Sequence, residues 1–242
     1  MKISLIIPMY NESSIIEETA KKVYKYMEET FKDYEVIFVD DGSRDGSAEI
    51  VNALCLPNVR VSGYGGNKGK GAAVRHGMLE ADGDVVMFTD ADLAYGTEVI
   101  KRVYDIFCAD TDVKMVTGSR NLHKDGYDGY TMLRKIMSKV YIKVLCFVGG
   151  FKLSDSQCGC KAFRADAARE IFGRCEVDGF AFDFEAILWA GILGYKIHEM
   201  PVKIINHRDS KINVVRDTFR MLSDLRRIKK QVKIKARSAE IK

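Results

Sequence analysis

The chain has 242 residues, 47% hydrophobic and 30% charged, with 38 Lys/Arg against 34 Asp/Glu for a net charge of +4. That length builds a core without disulfide or metal staples, and so small a charge excess does not by itself argue for a nucleic-acid partner. The charge is unevenly spread: residues 203–242 carry +9 and residues 1–202 carry −5.

Residues 3–8 read as a buried strand, stopped by Pro8 and followed by Tyr10, Asn11 and Glu12. Asn11 or Ser13 is placed to cap a helix over 15–31, where Ile15, Ile16, Thr19, Val23, Tyr26 and Met27 recur at helical spacing. A second strand, 35–39, ends in Asp40-Asp41-Gly42-Ser43, and a helix follows over 45–54. A short third strand, 58–62, runs into a glycine-rich turn; residues 70–81 are helical. The fourth strand, 84–89, ends in two carboxylates one residue apart, Asp90 and Asp92.

On an extended chain, side chains two apart project the same way, so Asp90 and Asp92 are expected to converge on one point. Carboxylates that close repel. A hard cation with oxygen ligands, Mg²⁺ or Mn²⁺, removes the conflict. The plainer alternative is a surface turn with both acids solvated.

Strands alternating with helices predict an α/β fold with a mostly parallel, Rossmann-like sheet flanked by helices. Ligands in such sheets bind beyond the carboxyl ends of the strands, and here four successive strand ends carry polar or glycine-rich chemistry. The phosphate-loop pattern fails, because Gly71 follows Lys70 and Tyr64 stands where the first glycine belongs. No G-x-G-x-x-G register fits Gly63 to Gly71 either. An acid after strand two and an acid pair after strand four therefore indicate a nucleoside-diphosphate site built on neither motif.

The ordered blocks Ile7-Pro8-Met9-Tyr10-Asn11-Glu12, Val39-Asp40-Asp41-Gly42-Ser43, Asn67-Lys68-Gly69-Lys70-Gly71, Asp90-Ala91-Asp92, Gly118-Ser119-Arg120, Gln157-Cys158-Gly159-Cys160-Lys161 and Phe182-Asp183-Phe184-Glu185 span nearly the whole chain. Together they resemble the family 2 glycosyltransferases of GT-A fold. Within that family they are similar to the polyprenyl-phosphate sugar synthases, the dolichyl-phosphate glucose type in particular.

The resemblance implies a GT-A catalytic domain over 1–212, with a nucleotide-sugar half at 1–118 and an acceptor half at 119–212. A basic amphipathic helix and tail follow at 213–242. It implies a nucleotide-sugar site of Pro8, Tyr10, Glu12, Asp40, Asp41, Lys70, Arg75, Ala91 and Gln157, with Asp90 and Asp92 holding Mg²⁺ or Mn²⁺ on the donor diphosphate. It assigns the acceptor phosphate to Arg120, Arg134 and Arg208, with Ser138 and Lys211 close by. The catalytic set is then Asp92, Arg120, Asp183 and Arg208. The donor is a nucleoside-diphosphate sugar, UDP-glucose favoured over GDP-mannose, and the acceptor is a polyprenyl phosphate. One departure stands out: Ala94 occupies a position where the family often has a polar residue that helps hold the metal.

Read from the residues alone, several roles stay open. Asp40 or Asp41 could serve as a turn or helix-cap residue, and Arg75 could be a solvated helix charge. Asp183 could cap the helix that runs to 191, order the acceptor arginines, or act as a base if the acceptor were a hydroxyl.

Beyond a strand at 113–117, Met132, Leu133, Ile136, Met137, Val140, Tyr141, Val144 and Leu145 read as one helical face, with Lys135, Lys139 and Lys143 on another. A core helix is the default for that pattern; a membrane-surface helix is the sharper reading. In the C-terminal segment Val214, Val215, Phe219, Leu222, Leu225, Ile228 and Val232 form an apolar stripe beside seven basic residues. Peripheral contact on the cytoplasmic membrane face is expected, without nucleic acid, because the tail has no interleaved aromatics. The six scattered cysteines form no CxxC pair, which points to a reducing compartment. No signal region or spanning segment is read. Outside this reading stand a glycosyltransferase acting on sugar hydroxyls, a nucleotidyltransferase, and a nucleotide-sugar-binding protein without catalysis.

Overall fold

The computed structural model describes residues 1–206 and 214–240. In chain order the elements are β1 (Ile3–Met9), α1 (Ile16–Thr30), β2 (Tyr34–Asp40), α2 (Ser47–Ala53), β3 (Val59–Gly63), α3 (Lys70–Glu80) and β4 (Val85–Thr89). There follow α4 (Glu98–Ala109), β5 (Val113–Ser119), α5 (Met132–Gly149), β6 (Cys160–Arg164), α6 (Ala165–Phe172), α7 (Phe182–Ile192), β7 (Lys196–Pro201) and α8 (Val214–Glu240). The α/β reading and the first four strands agree with the sequence pattern to within a residue or two. The pattern did not single out α4, β6, α6 or β7.

The strands form one sheet in the order β3-β2-β1-β4-β6-β5-β7. All neighbours run parallel except β6, which is antiparallel to both β4 and β5. Parallel crossovers leave β1 in the middle, with β2 on one side and β4 on the other, so the strand order reverses between β1 and β4. Such a switch point opens a crevice at the carboxyl ends of the strands.

Alternate residues of a strand face opposite sides, and β1 shows the consequence. Ile3, Leu5 and Ile7 enter one core with Ile16, Ala20, Val23 and Met27 of α1 and Val99, Ile100, Val103 and Phe107 of α4. Ile6 enters a second core with Ala73, Val74 and Met78 of α3. That second core also contains Leu145, Trp189, Leu225, Ile228 and Val232, so α8 packs into the body of the fold. At about 1.5–3 kcal/mol for each large apolar side chain buried, these three α8 residues alone give the helix a firm dock. Among the described residues, no helix is long and apolar enough to cross a membrane.

Two local expectations are corrected. The N-cap of α1 is Ile15, with no side-chain cap bond. Asn11 instead adopts φ 53°, and its Oδ1 accepts from the Arg44 N–H at 2.9 Å. On α5, Met132, Ile136 and Val140 are exposed while Ile142 and Leu145 are buried, so the apolar residues do not share one packed face.

Candidate functional site

The loops after β1 and β2 are laced together at the switch point. The backbone N–H groups of Asn11 and Glu12 donate to Ser43 Oγ and Ser47 Oγ, both at 2.9 Å, and that of Ser13 donates to Asp45 Oδ2 at 2.9 Å. On this fixed rim Tyr10 is 42% exposed, an open ring beside the partly accessible Pro8 and Glu12. Asp40 closes a turn, its Oδ1 accepting from the Ser43 N–H at 3.0 Å.

Asp41 is buried and turned toward the glycine-rich loop. Its carboxylate accepts from Tyr64 Oη (2.8 Å), Asn67 Nδ2 (2.9 Å) and the N–H groups of Lys68 (2.8 Å) and Gly69 (2.9 Å). The sequence placed this acid against a base or ribose; in the structure its hydrogen bonds organise residues 64–69. That loop delivers Gly69, at φ 113°, where a Cβ would lie 2.6 Å from the Asp178 carbonyl oxygen. The tight approach starts α3 with Lys70 facing the end of β4.

The acid pair does not lie on an extended strand. β4 stops at Thr89, and residues 90–93 form a turn closed by the Leu93 N–H donating to the Asp90 carbonyl at 3.0 Å, with Leu93 at φ 47°. Side-chain alternation is therefore not what sets the two carboxylates. The turn is held from outside by Asn206 Nδ2, which donates to the carbonyls of Asp92 (3.1 Å) and Leu93 (3.0 Å). Asp92 Oδ1 accepts from the Ala94 N–H at 3.1 Å. Asp90 pairs with Lys70. Burial works against the Lys70 ammonium, but Asp90 and then Asp183 outweigh it and hold its pKa above the usual lysine value. Ala91, expected among the sugar-nucleotide contacts, is buried in the first core, and its carbonyl accepts from Thr19 Oγ1 at 2.7 Å.

The antiparallel β6 brings the acceptor half to this turn. Thr89 pairs with Cys160, which sets Gly159 against Asp90; a Cβ there would lie 2.8 Å from Asp90 Cγ and closer still to Oδ2. One residue along β6 is Lys161, 1% exposed. Its Nζ donates to the Cys158 carbonyl at 2.7 Å and lies 2.7 Å from Asp183 Oδ1. Burial pushes the Asp183 carboxyl above the usual range, and Lys161 pulls it partly back. Asp183 does not cap α7, whose N-cap is Ala181 with no side-chain bond. Sequence reasoning passed over Lys161, although a lysine between Cys160 and Ala162-Phe163 carries a signal: a charge inside an apolar strand must be paired.

Arg120 is also inside, 8% exposed, and makes a fork to Asp155: Nε to Oδ2 at 2.6 Å and Nη2 to Oδ1 at 3.0 Å. The expected phosphate-binding guanidinium is thus already oriented by a carboxylate. Arg75 is no solvated charge, since its Nη2 pairs with Asp178 Oδ1 at 2.6 Å. Gln157 lies in the loop before β6, its N–H donating to Asp155 Oδ1 at 3.1 Å. Ser138 is half-buried on α5, where Arg134 also lies. Arg208 and Lys211 fall outside the described residues. Cys158 and Cys160 are packing residues: burial pushes both thiols up, that of Cys158 to about 11.

Among the described residues, no cluster of three or more His, Cys, Asp or Glu side chains forms a complete metal cage. A pair of carboxylates fits a different mode. Mg²⁺ and similar ions are commonly held by one or two carboxylates, with substrate phosphates and water completing the shell. Asp90 and Asp92 suit a cation that arrives with a diphosphate, sharing or replacing the charge that Lys70 supplies.

Comparison with known proteins gives a consistent picture. A family model described as glycosyl transferase family 2 matches residues 4–172. A dolichyl-phosphate beta-glucosyltransferase of Dictyostelium discoideum is 31% identical over 94% of this chain and 73% of its own. The Homo sapiens protein of that name is 28% identical over 87% of this chain and 69% of its own. Among solved structures, glucosyl-3-phosphoglycerate synthase from Mycobacterium tuberculosis, in complex with Mn²⁺, UDP and phosphoglyceric acid, superposes with a TM-score of 0.70 at 17% identity, covering 93% of this chain and 75% of that one. Mannosyl-3-phosphoglycerate synthase from Rubrobacter xylanophilus gives 0.65 at 19%, covering all of this chain and 76% of that one. At such identities the likeness is one of fold, the GT-A arrangement.

Proposed function

Because the chain belongs to glycosyl transferase family 2, we propose that it moves glucose, with inversion, from UDP-glucose onto the phosphate of a polyprenyl lipid. The observation that carries this reading is the acid turn of Asp90 and Asp92 at the β1/β4 switch point, beside the open Tyr10 rim. The acceptor class rests on the dolichyl-phosphate beta-glucosyltransferases to which most of the chain is similar.

Tyr10, Pro8 and Glu12 border the base and ribose, and the loop shaped by Asp41 closes the far side. Asp90 and Asp92 would hold Mg²⁺ or Mn²⁺, which would supply Lewis-acid stabilisation for charge on the leaving diphosphate. Lys70, already at the site, adds a fixed positive charge. Arg120 uses two of its five N–H donors on Asp155, so three remain for an acceptor phosphate. The family resemblance adds Arg134, Ser138, Arg208 and Lys211 as further groups for that phosphate. A phosphate monoester has a second pKa near ~6, so the attacking oxygen is anionic at neutral pH and needs no strong base. Asp183 has a structural part in this scheme as the buried partner of Lys161, 2.7 Å away, and transfer to a phosphate oxygen asks no proton transfer of it. The work takes place at the cytoplasmic face of a membrane.

The test is transfer of radiolabel from UDP-glucose and from GDP-mannose to a short polyprenyl phosphate and to a sugar hydroxyl, with and without Mn²⁺. Label in the lipid phosphate from UDP-glucose, dependent on metal, is the expected result. Exclusive transfer to the hydroxyl, abolished by Asp183→Asn with donor binding intact, sinks the base-free scheme.

A further inference from the structure

The exposed side of α5 is apolar where a packed helix would be polar. Met132 is 77% exposed, Ile136 54%, Val140 55% and Phe147 89%. At 3.6 residues per turn these four, with exposed Lys139 and Lys143, fall within a sector of roughly 100°, opposite buried Leu145, along ~22 Å of helix. The row ends at a second feature. Between α5 and α8 lies a groove of about 570 Å³, where Phe147 and Ile234 meet Arg226, Lys230, Lys233 and Arg237. None of the residues lining it is acidic. Lys229 joins the two helices there, its Nζ donating to the Val148 carbonyl at 2.5 Å.

We propose that this α5/α8 face lies on an anionic bilayer, with Phe147 and Ile234 among the headgroups and the cations on lipid phosphates. The reading above supplies the expectation of a membrane; the surface itself is chosen by the coincidence of apolar and basic groups. A helix with exposed aromatic and aliphatic residues beside cations is the pattern that binds in the interface plane. A polyanion in solution would use the cations and leave the aliphatic row without a partner. The row also starts next to the acceptor half: Lys139 Nζ lies 6.0 Å from the Tyr127 ring, which Arg120 also covers at 5.3 Å. A bilayer along α5 would therefore run from the groove toward Arg120.

Flotation of the full chain with vesicles that contain neither nucleotide nor polyprenyl phosphate tests this apart from catalysis. Binding is expected to phosphatidylcholine vesicles doped with phosphatidylserine and not to phosphatidylcholine alone. Lys230→Glu/Lys233→Glu should weaken partition by at least about 25-fold, at roughly fivefold for each cation. Phe147→Ala should weaken it by about tenfold, whereas Lys22→Glu/Lys25→Glu on exposed α1 should leave it unchanged. The proposal is overturned by absence of flotation, by equal loss in the α1 variant, or by binding indifferent to Phe147→Ala and abolished by single-stranded RNA. If wild-type chain floats as expected yet transfers sugar to no acceptor, the enzymatic reading fails and the docking face stands.

Discussion

Replacing Gly159 by alanine separates site geometry from fold. The φ of Gly159 lies outside the left-handed region, so its backbone accepts a side chain, and the obstacle is the Asp90 carboxylate, whose Cγ would lie 2.8 Å from the new Cβ. Carbon atoms sit comfortably at ~3.5–4.0 Å, so the carboxylate must retreat by roughly 0.7–1.2 Å. It cannot simply swing aside, because Lys70 grips its other oxygen. A displacement near 1 Å in a positioned group costs on the order of 10²-fold in rate. The strain on a partly exposed side chain should cost only about 1 kcal/mol, or ~2–4 °C in Tm for a chain this long. Initial rates across a Mn²⁺ titration, with a thermal melt alongside, would show kcat/KM down about 100-fold and the metal requirement raised. Wild-type kcat/KM, or a rate loss explained by collapse of the melt, would refute the argument.

Lys161→Met leaves Asp183 buried without its partner, a loss of ~3–5 kcal/mol; adding Asp183→Asn should recover part of it, read by denaturant unfolding. Asp41→Ala should free residues 64–69, speeding amide exchange at Lys68 and Gly69 and raising KM for the sugar nucleotide more than it lowers kcat; unchanged exchange would contradict the organiser role. Burial alone would raise the Asp155 pKa, but Arg120 outweighs it and holds the carboxyl below its usual range. A depressed folded-state value contributes stability above the unfolded pKa of ~3.9 and loses it as pH falls through the lower folded value. Melting temperature should therefore drop below pH ~4, and Asp155→Asn should flatten that drop while lowering stability near neutrality.

What could be read in the chain was whatever is local. Apolar runs ending in Asn11-Glu12, Asp40-Asp41 and Asp90-Asp92 announced the strands and the crevice, because strand period and strand end are properties of a few consecutive residues. What could not be read depends on chain returning from afar. Asp41 offers no hint that its oxygens serve a loop some 25 residues later, nor Arg120 that Asp155 will occupy its fork. The convergence argued for Asp90 and Asp92 assumed extended backbone, and the turn at 90–93, pinned by Asn206, replaced it. Which side of α5 packs was hidden for another reason: an apolar run that nearly encircles a helix has no preferred side until its neighbours choose one.

Trp189 is the chain's one tryptophan, 2% exposed in α7 and packed in the same cluster as Leu225, Ile228 and Val232 of α8. Its fluorescence is consequently a built-in gauge of whether the last helix is seated. Emission that stays blue when vesicles are added would mean the protein lands with α8 in place, while a red shift would mean the helix peels away on contact.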